Sequence, residues 1–334
     1  MEGGKQVYTG VELGVNYVAH IYTLAGAGFR DEDYIKKYGD AIPPEDREYL
    51  QNHSQYMSFA EFDHATFAMQ LFFVPSYFNL KTRRDFEEYF QAWKEATEKK
   101  SPLPLEKYRS YFYDYNEMFK ADKDEWDKIL EVVPIFDRIG EIYMNNIEHY
   151  SKNIWPEIEP KLLKKSQELN EKIEDGLVEK WESVTGYKFK KDKYCVVLFY
   201  AGADGPSFNN LSLDKNTAYY GLDEQYMLDM ISHELGIHIL LPHLWDLVEK
   251  YRKEIPRINV PNIYGNISYM ALESLASFYN KKVLPGETMD TFSHLDFDKF
   301  YNIYSQLYAA NLEPRNMYKE GVKRYLGLKG RFMG

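Results

Sequence analysis

Apolar positions along the first half of the chain recur with the 3.6-residue period of helices. Val11, Val15, Val18 and Tyr22 fall near one face, which predicts a buried helix over residues 11–26 ending at Gly26. Further helical segments are expected near 32–38, 45–52, 59–73, 84–98 and 105–121, punctuated by Pro43-Pro44 and by Ser101-Pro-Leu-Pro104. The stretch 124–184 is rich in Glu, Lys, Leu and Ile, and Pro134, Pro156 and Pro160 are expected to divide it into separate helices. At residue 187 the period changes. Tyr187-Lys-Phe-Lys190 alternates like a short strand. Tyr194 to Tyr200 is a continuous β-prone run, as in a strand covered on both faces, and Asn216 to Tyr220 reads as another strand after a Gly- and Pro-containing loop. Asp223 is a good N-cap for the helix that follows, which Pro242 would close or kink. Residues 266–281 form a further helix, and the remainder is helical. The fold class expected is therefore α+β, mostly α. A helical region over 1–180 would pack on a small core, over 181–334, of a few-stranded sheet, one prominent helix and C-terminal helices.

That prominent helix carries the chemistry. Three of the eight histidines, His233, His238 and His243, crowd into its sequence, and Glu234 follows the first directly. An adjacent His-Glu with a second His about one turn on resembles the zinc helix of the zincins, in which two imidazoles hold Zn²⁺ and the Glu works on the metal-bound water. The usual interval is two residues; here Leu235, Gly236 and Ile237 make three. Each residue of a straight α-helix turns the chain by roughly 100°, so residues five apart diverge by about 140°. A π-bulge would absorb the extra residue and restore a common face, and Gly236 lowers the steric barrier to that distortion.

His-Glu-Leu-Gly-Ile-His resembles the His-Glu-x-x-x-His signature of the dipeptidyl peptidase III type of zinc metallopeptidases, within the gluzincins. In that family the third ligand is a Glu on a later helix with an Ala three residues on. The resemblance thereby implies Glu273 as third ligand, since Ala271-Leu-Glu-Ser-Leu-Ala276 places Ala276 at that offset. It spans residues 216–280 and departs from the family at Ser277, where an acidic residue would stand four after the ligand. The region is also similar to uncharacterised bacterial zincin-like proteins with His-Glu-x-x-His, a Pro shortly after and a Glu downstream.

The reading that follows is a zinc-dependent metallopeptidase acting on a peptide or protein substrate. His233, His238 and Glu273 would hold Zn²⁺ and leave a fourth position for water, and Glu234 would be the general base. The strand before a zincin's motif helix is an exposed edge that a peptide can extend, so residues 216–221 are the expected substrate strand, or else an ordinary sheet strand. His243 is a rival ligand; its alternative is a helix-end histidine near the negative end of the dipole. Asp229, one turn before His233, is either a brace for that imidazole or a solvated residue. Oxyanion stabilisers usually lie downstream in gluzincins, where His294, Tyr264 and Tyr269 are candidates. Glu61-Phe-Asp-His64 has the Glu-x-x-His spacing of di-iron bundles, but no second pair accompanies it. Two other functions remain open: a degenerate zincin in which the extra residue has spoiled the metal site, leaving a binding or scaffold module, and a metalloenzyme that is not a peptidase.

Composition narrows this further. A formal charge of −11 argues against a nucleic-acid surface, although Arg315, Lys319, Lys323, Arg324, Lys329 and Arg331 form a locally basic end, read as a solvated helix and tail. The single cysteine, Cys195, lies in an apolar run and is expected to be a packed thiol. No apolar run reaches membrane-spanning length, and the start lacks an apolar leader core, so the protein is expected to be cytoplasmic or exported with its leader removed. Oligomeric state and substrate preference are not legible.

Overall fold

The computed structural model describes residues 4–57, 68–101, 103–108, 123–255, 266–285 and 297–330. The fold is α+β and mostly helical, with one small mixed sheet among the described residues. In chain order come β1 (Gln6–Val11), α1 (Leu13–Ala25), α2 (Glu32–Tyr38), α3 (Pro44–Asn52) and a π-helical turn (Met69–Phe73) that runs into α4 (Val74–Tyr77). Then follow α5 (Arg83–Lys99), α6 (Lys123–Asn153), α7 (Trp155–Asn170), α8 (Leu177–Thr185), β2 (Lys193–Phe199), β3 (Phe208–Ser212) and β4 (Lys215–Tyr219). The last described elements are α9 (Glu224–Glu254), α10 (Ile267–Val283), α11 (Phe297–Ala309) and α12 (Pro314–Gly330).

The chain forms two compact units, and neither is continuous in sequence. Residues 9–171 with 195–222 make a sheet unit; residues 1–8, 172–194 and 223–334 make a motif unit. The strands expected beside the motif helix thus cluster with the N-terminal helices.

In the sheet unit, α1 is buried along nearly its whole length. It stops where expected. Gly26 takes a left-handed φ of 67°, and the Gly26 and Ala27 amides close on the Thr23 and Tyr22 carbonyls, the paired bonds of a Schellman motif. A capping box starts α5: the Asp85 amide donates to Thr82 Oγ1 at 3.1 Å, and the Thr82 amide donates to Asp85 Oδ2 at 2.9 Å. Buried tyrosines supply much of the core, and some find acceptors on the backbone, Tyr17 donating to the Tyr143 carbonyl at 2.7 Å and Tyr143 to that of Leu71 at 2.9 Å. Cys195 is a buried thiol outside any disulfide, as expected.

Three expectations are corrected here. Pro134 does not end a helix; α6 runs through it, and α7 runs through Pro160. Proline's φ is helical, so the cost is one backbone bond and a local clash, which burial of Phe136, Ile139 and Tyr143 after Pro134, and of Ile158 and Leu162 around Pro160, offsets. Tyr187–Lys190 is not a strand. Finally, β4 is not an exposed edge. The sheet order is β1-β2-β4-β3, with β4 parallel to β2 (Cys195↔Lys215 to Phe199↔Tyr219) and antiparallel to β3. With both sides of its ladder used, β4 cannot accept a substrate strand.

In the motif unit, α10 is the central helix, packed against α8, α9, α11 and α12. Its N-terminus is capped by Asn266, whose Oδ1 accepts from the Ser268 amide at 3.0 Å. Two buried tyrosines pin its first turns: Tyr304 of α11 donates to the Ala271 carbonyl and Tyr318 of α12 to that of Ser268, both at 2.9 Å. A carboxylate on α10 therefore sits on a firmly held scaffold.

Candidate functional site

The site is the seam where α9 meets α10 and α8. Asp223 caps α9, its Oδ1 accepting from the Tyr226 amide at 3.0 Å. The helix then runs 31 residues, through Pro242, to Glu254. It is α-helical throughout, so the expected π-bulge at Gly236 is not present; the π-helix among the described residues is Met69–Phe73.

Gly236 has a different reason. A Cβ at that position would lie 2.1 Å from Trp181 Cη2, 2.4 Å from Cζ2 and 2.6 Å from Cζ3. The benzo ring of a fully buried Trp181, on α8, is seated directly on the helix backbone. Its indole N–H donates to Ser232 Oγ at 3.0 Å. Trp181 thus lies along one turn of α9, touching the residue before His233 at one end and the glycine between the two histidines at the other. Glycine is required here for close approach, not for backbone freedom.

With 100° per residue, neighbouring positions of α9 meet different partners. His233 faces α10, where its Nε2 stands 2.8 Å from Glu273 Oε2 and its Nδ1 3.4 Å from Ser277 Oγ. One turn earlier, Asp229 faces the same helix, and Asn280 Nδ2 donates to Asp229 Oδ1 at 3.0 Å. His233, Glu273, Asp229 and Glu234 are all buried. Burial pulls the His233 pKa down, but the hydrogen bond to Glu273 and the charges of Glu273, Glu234 and Asp229 outweigh it and leave the pKa raised. His233 and Glu273 therefore form a buried, hydrogen-bonded pair.

His238 is elsewhere. Five residues on in a straight helix, it lies edge-to-face against Tyr194, ring centroids 5.1 Å apart, and is equally buried. Among the described residues no group of three or more His, Cys, Asp or Glu side chains stands in position to hold a metal. Of the three proposed zinc ligands, the fold brings two together. The chemistry of that pair fits Zn²⁺: an imidazole nitrogen meets a carboxylate oxygen, and the other ring nitrogen faces a hydroxyl able to fix its orientation. The third donor does not stand with them in this winding of the helix.

His243 stacks on Tyr187 at 4.2 Å, and its carbonyl accepts from Arg315, which also grips the Asp246 carboxylate. It is thus a half-buried, packed residue within α9, which runs on to Glu254, and not the expected helix-end histidine. Arg315 is tied down by these contacts at the surface, while Lys319, Lys323 and Arg324 are exposed, as expected of a solvated basic helix. Of the oxyanion candidates, Tyr269 lies in the first turn of α10; Tyr264 and His294 lie outside the described residues, as do Glu61 and His64. Trp181 and Asn280 were missed by sequence reasoning. The one signal for Trp181 was an isolated glycine inside a helical pattern, which commonly marks close packing.

No protein-family model, curated protein or solved structure matches the chain. Among the described residues no helix is long and apolar enough to cross a membrane.

Proposed function

We propose that the chain is a zinc-dependent peptide hydrolase centred on α9 and α10. The observation that carries this reading is the buried 2.8 Å contact between His233 and Glu273, residues 40 apart that the His-Glu motif and the downstream Glu nominated together. His233 and Glu273 would hold the metal, with His238 as third ligand once the intervening turn is rewound. Bound zinc would polarise the scissile carbonyl and acidify its water. Glu234, beside His233 on the helix and buried, would be the base that takes a proton from the attacking water and passes it to the leaving amine. Ser277 and the Asp229–Asn280 pair orient the imidazole-bearing face. The substrate is a peptide or protein.

The test is metal analysis of purified protein with a peptide-library cleavage assay. The wild type is expected to hold about one zinc per chain, as a three-ligand catalytic site does. Glu234→Gln should keep that zinc and lose hydrolysis by a factor on the order of 10² to 10⁴, the usual contribution of a general base. Full activity in Glu234→Gln refutes the assigned base.

A second reading is favoured by the unbroken helix and its Trp181 clasp: a degenerate zincin in which His233 and Glu273 join two helices of a binding or scaffold module. Protein that stays zinc-free after metal loading supports it. Stoichiometric iron with no peptide cleavage would point instead to a metalloenzyme of another class.

A further inference from the structure

We propose that Trp181 is a positioning residue for the metal site, one that holds the turn between the two histidines in the α register and thereby limits how tightly the site takes zinc. The inference rests on the zinc reading above. Both ends of the turn are engaged by one side chain. The indole N–H is bonded to Ser232, which precedes His233, and the benzo ring lies on the Cα of Gly236, two residues before His238. Trp181 has no room to retreat, being fully buried. Its own helix is fastened at the next residue: Glu182 accepts from Lys5 Nζ and Lys188 Nζ, each at 2.6 Å, and from the Phe189 amide at 3.0 Å. The wedge is therefore rigid on its own side.

In the α register the two imidazoles leave the helix about 140° apart, and each has its own neighbour, Glu273 for His233 and Tyr194 for His238. Convergence on one ion requires the 233–238 segment to add a residue to its turn. That displaces the Gly236 Cα and the Ser232 hydroxyl relative to one another, and Trp181 spans those two points. The apparent affinity of a site whose competent form is a minor population is reduced by that population. Loosening the clasp raises the population and tightens zinc binding, the opposite of what truncating an ordinary supporting residue does.

The experiment compares wild type, Trp181→Phe and Ser232→Ala, each stripped with a chelator and retitrated with zinc against a chromophoric competitor. Trp181→Phe removes the ring atoms over Gly236; Ser232→Ala removes only the hydrogen bond and leaves the core filled. Trp181→Phe is expected to bind zinc at least tenfold more tightly than wild type, and Ser232→Ala severalfold more tightly. In wild type, saturating zinc should shift the Trp181 indole N–H resonance in an ¹H–¹⁵N spectrum, assigned by its loss in Trp181→Phe or, should that variant not fold, by its displacement in Ser232→Ala. Equal or weaker zinc binding by the folded variants, with the wild type binding zinc and its indole signal unmoved, overturns the positioning role and leaves the zinc reading standing. A wild type that takes no zinc removes both.

Discussion

Replacing Gly236 by alanine separates the two explanations for a glycine in the middle of α9. If glycine is there to permit a bulged backbone, the cost of alanine is a property of the backbone and is indifferent to Trp181. If it is there to admit Trp181, the cost depends on the indole. The new Cβ would sit 2.1 to 2.6 Å from three ring carbons, where carbon atoms pack best at about 3.5 to 4.0 Å. Ring or helix must therefore move by more than an ångström in a core with no slack. Overpacking of this kind costs about 1–3 kcal/mol, and more where neither side can yield. Against it stands the gain in helix propensity from glycine to alanine, about 1 kcal/mol. The net expectation is a loss of about 2 kcal/mol in Gly236→Ala. In a Trp181→Phe background the ring atoms that clash are gone and a void replaces them. There the same alanine should be neutral to stabilising by about 1 kcal/mol, from propensity and partial filling. The measurement is a double-mutant cycle by urea unfolding followed by far-UV circular dichroism, comparing midpoints at unchanged slope. A coupling of about 2–3 kcal/mol is expected, the sum of the loss and the gain just derived. An alanine that costs the same in both backgrounds would refute the close-approach account and restore the backbone one.

Three other outcomes are expected. Glu234→Gln should retain zinc and lose peptide hydrolysis, read by metal analysis and a cleavage assay on the same sample. Glu273→Ala should destabilise the metal-free protein by about 3 kcal/mol at pH 6, because it strips a buried imidazole of its partner. His233 has a raised pKa, so the pair's contribution is complete below the ordinary imidazole value of 6.5 and fades as pH rises through the folded value; unfolding at pH 6 and pH 9 should show the larger effect at pH 6. In the sheet unit, burial beside His149 lowers the His20 pKa from 6.5 to about 3. The unfolded chain therefore takes up a proton that the folded chain refuses as pH falls from 6.5 towards 3, and at pH 4 this removes about 3 kcal/mol of stability, at 1.36 kcal/mol per pKa unit. His20→Gln should lose less stability than wild type between pH 7 and pH 4, and an equal loss would show that His20 is not the group refused.

Much of the helical framework was legible because it is written locally. Gly26 ends α1 and Asp223 starts α9, each through a short-range bond that residue type dictates. The β2 and β4 runs were legible from their aromatic and β-branched content. β1 and β3 were not: Phe208–Ser212 is polar and short, and pairing with β4 makes it a strand. The alternation at Tyr187–Lys190 misled for a related reason. Phe189 is buried and Lys188 pairs with Glu182, so the pattern records one residue in and one out, with no sheet behind it. Within the site, Glu273 was nominated by its offset from the motif, and the fold places it against His233. Trp181 meets α9 about fifty residues away in sequence, and no periodicity encodes that meeting.

A helix advancing 100° per residue sorts this motif into separate contacts. Ser232 and Gly236 go to Trp181, Asp229 and His233 to α10, and His238 to Tyr194. Each histidine thus has a partner of its own, and the spacing that resembles a zinc signature is also a workable packing code for three neighbours. A function routed through both imidazoles must begin by changing the winding of the turn, against the indole. One routed through His233 and Glu273 alone need not. Whether the wild type takes zinc at all therefore divides a metal site from a helix junction that has kept the residues of one; given zinc binding, tightening when Trp181 is trimmed means the turn was being held back by the indole, and indifference means the indole is not what holds it.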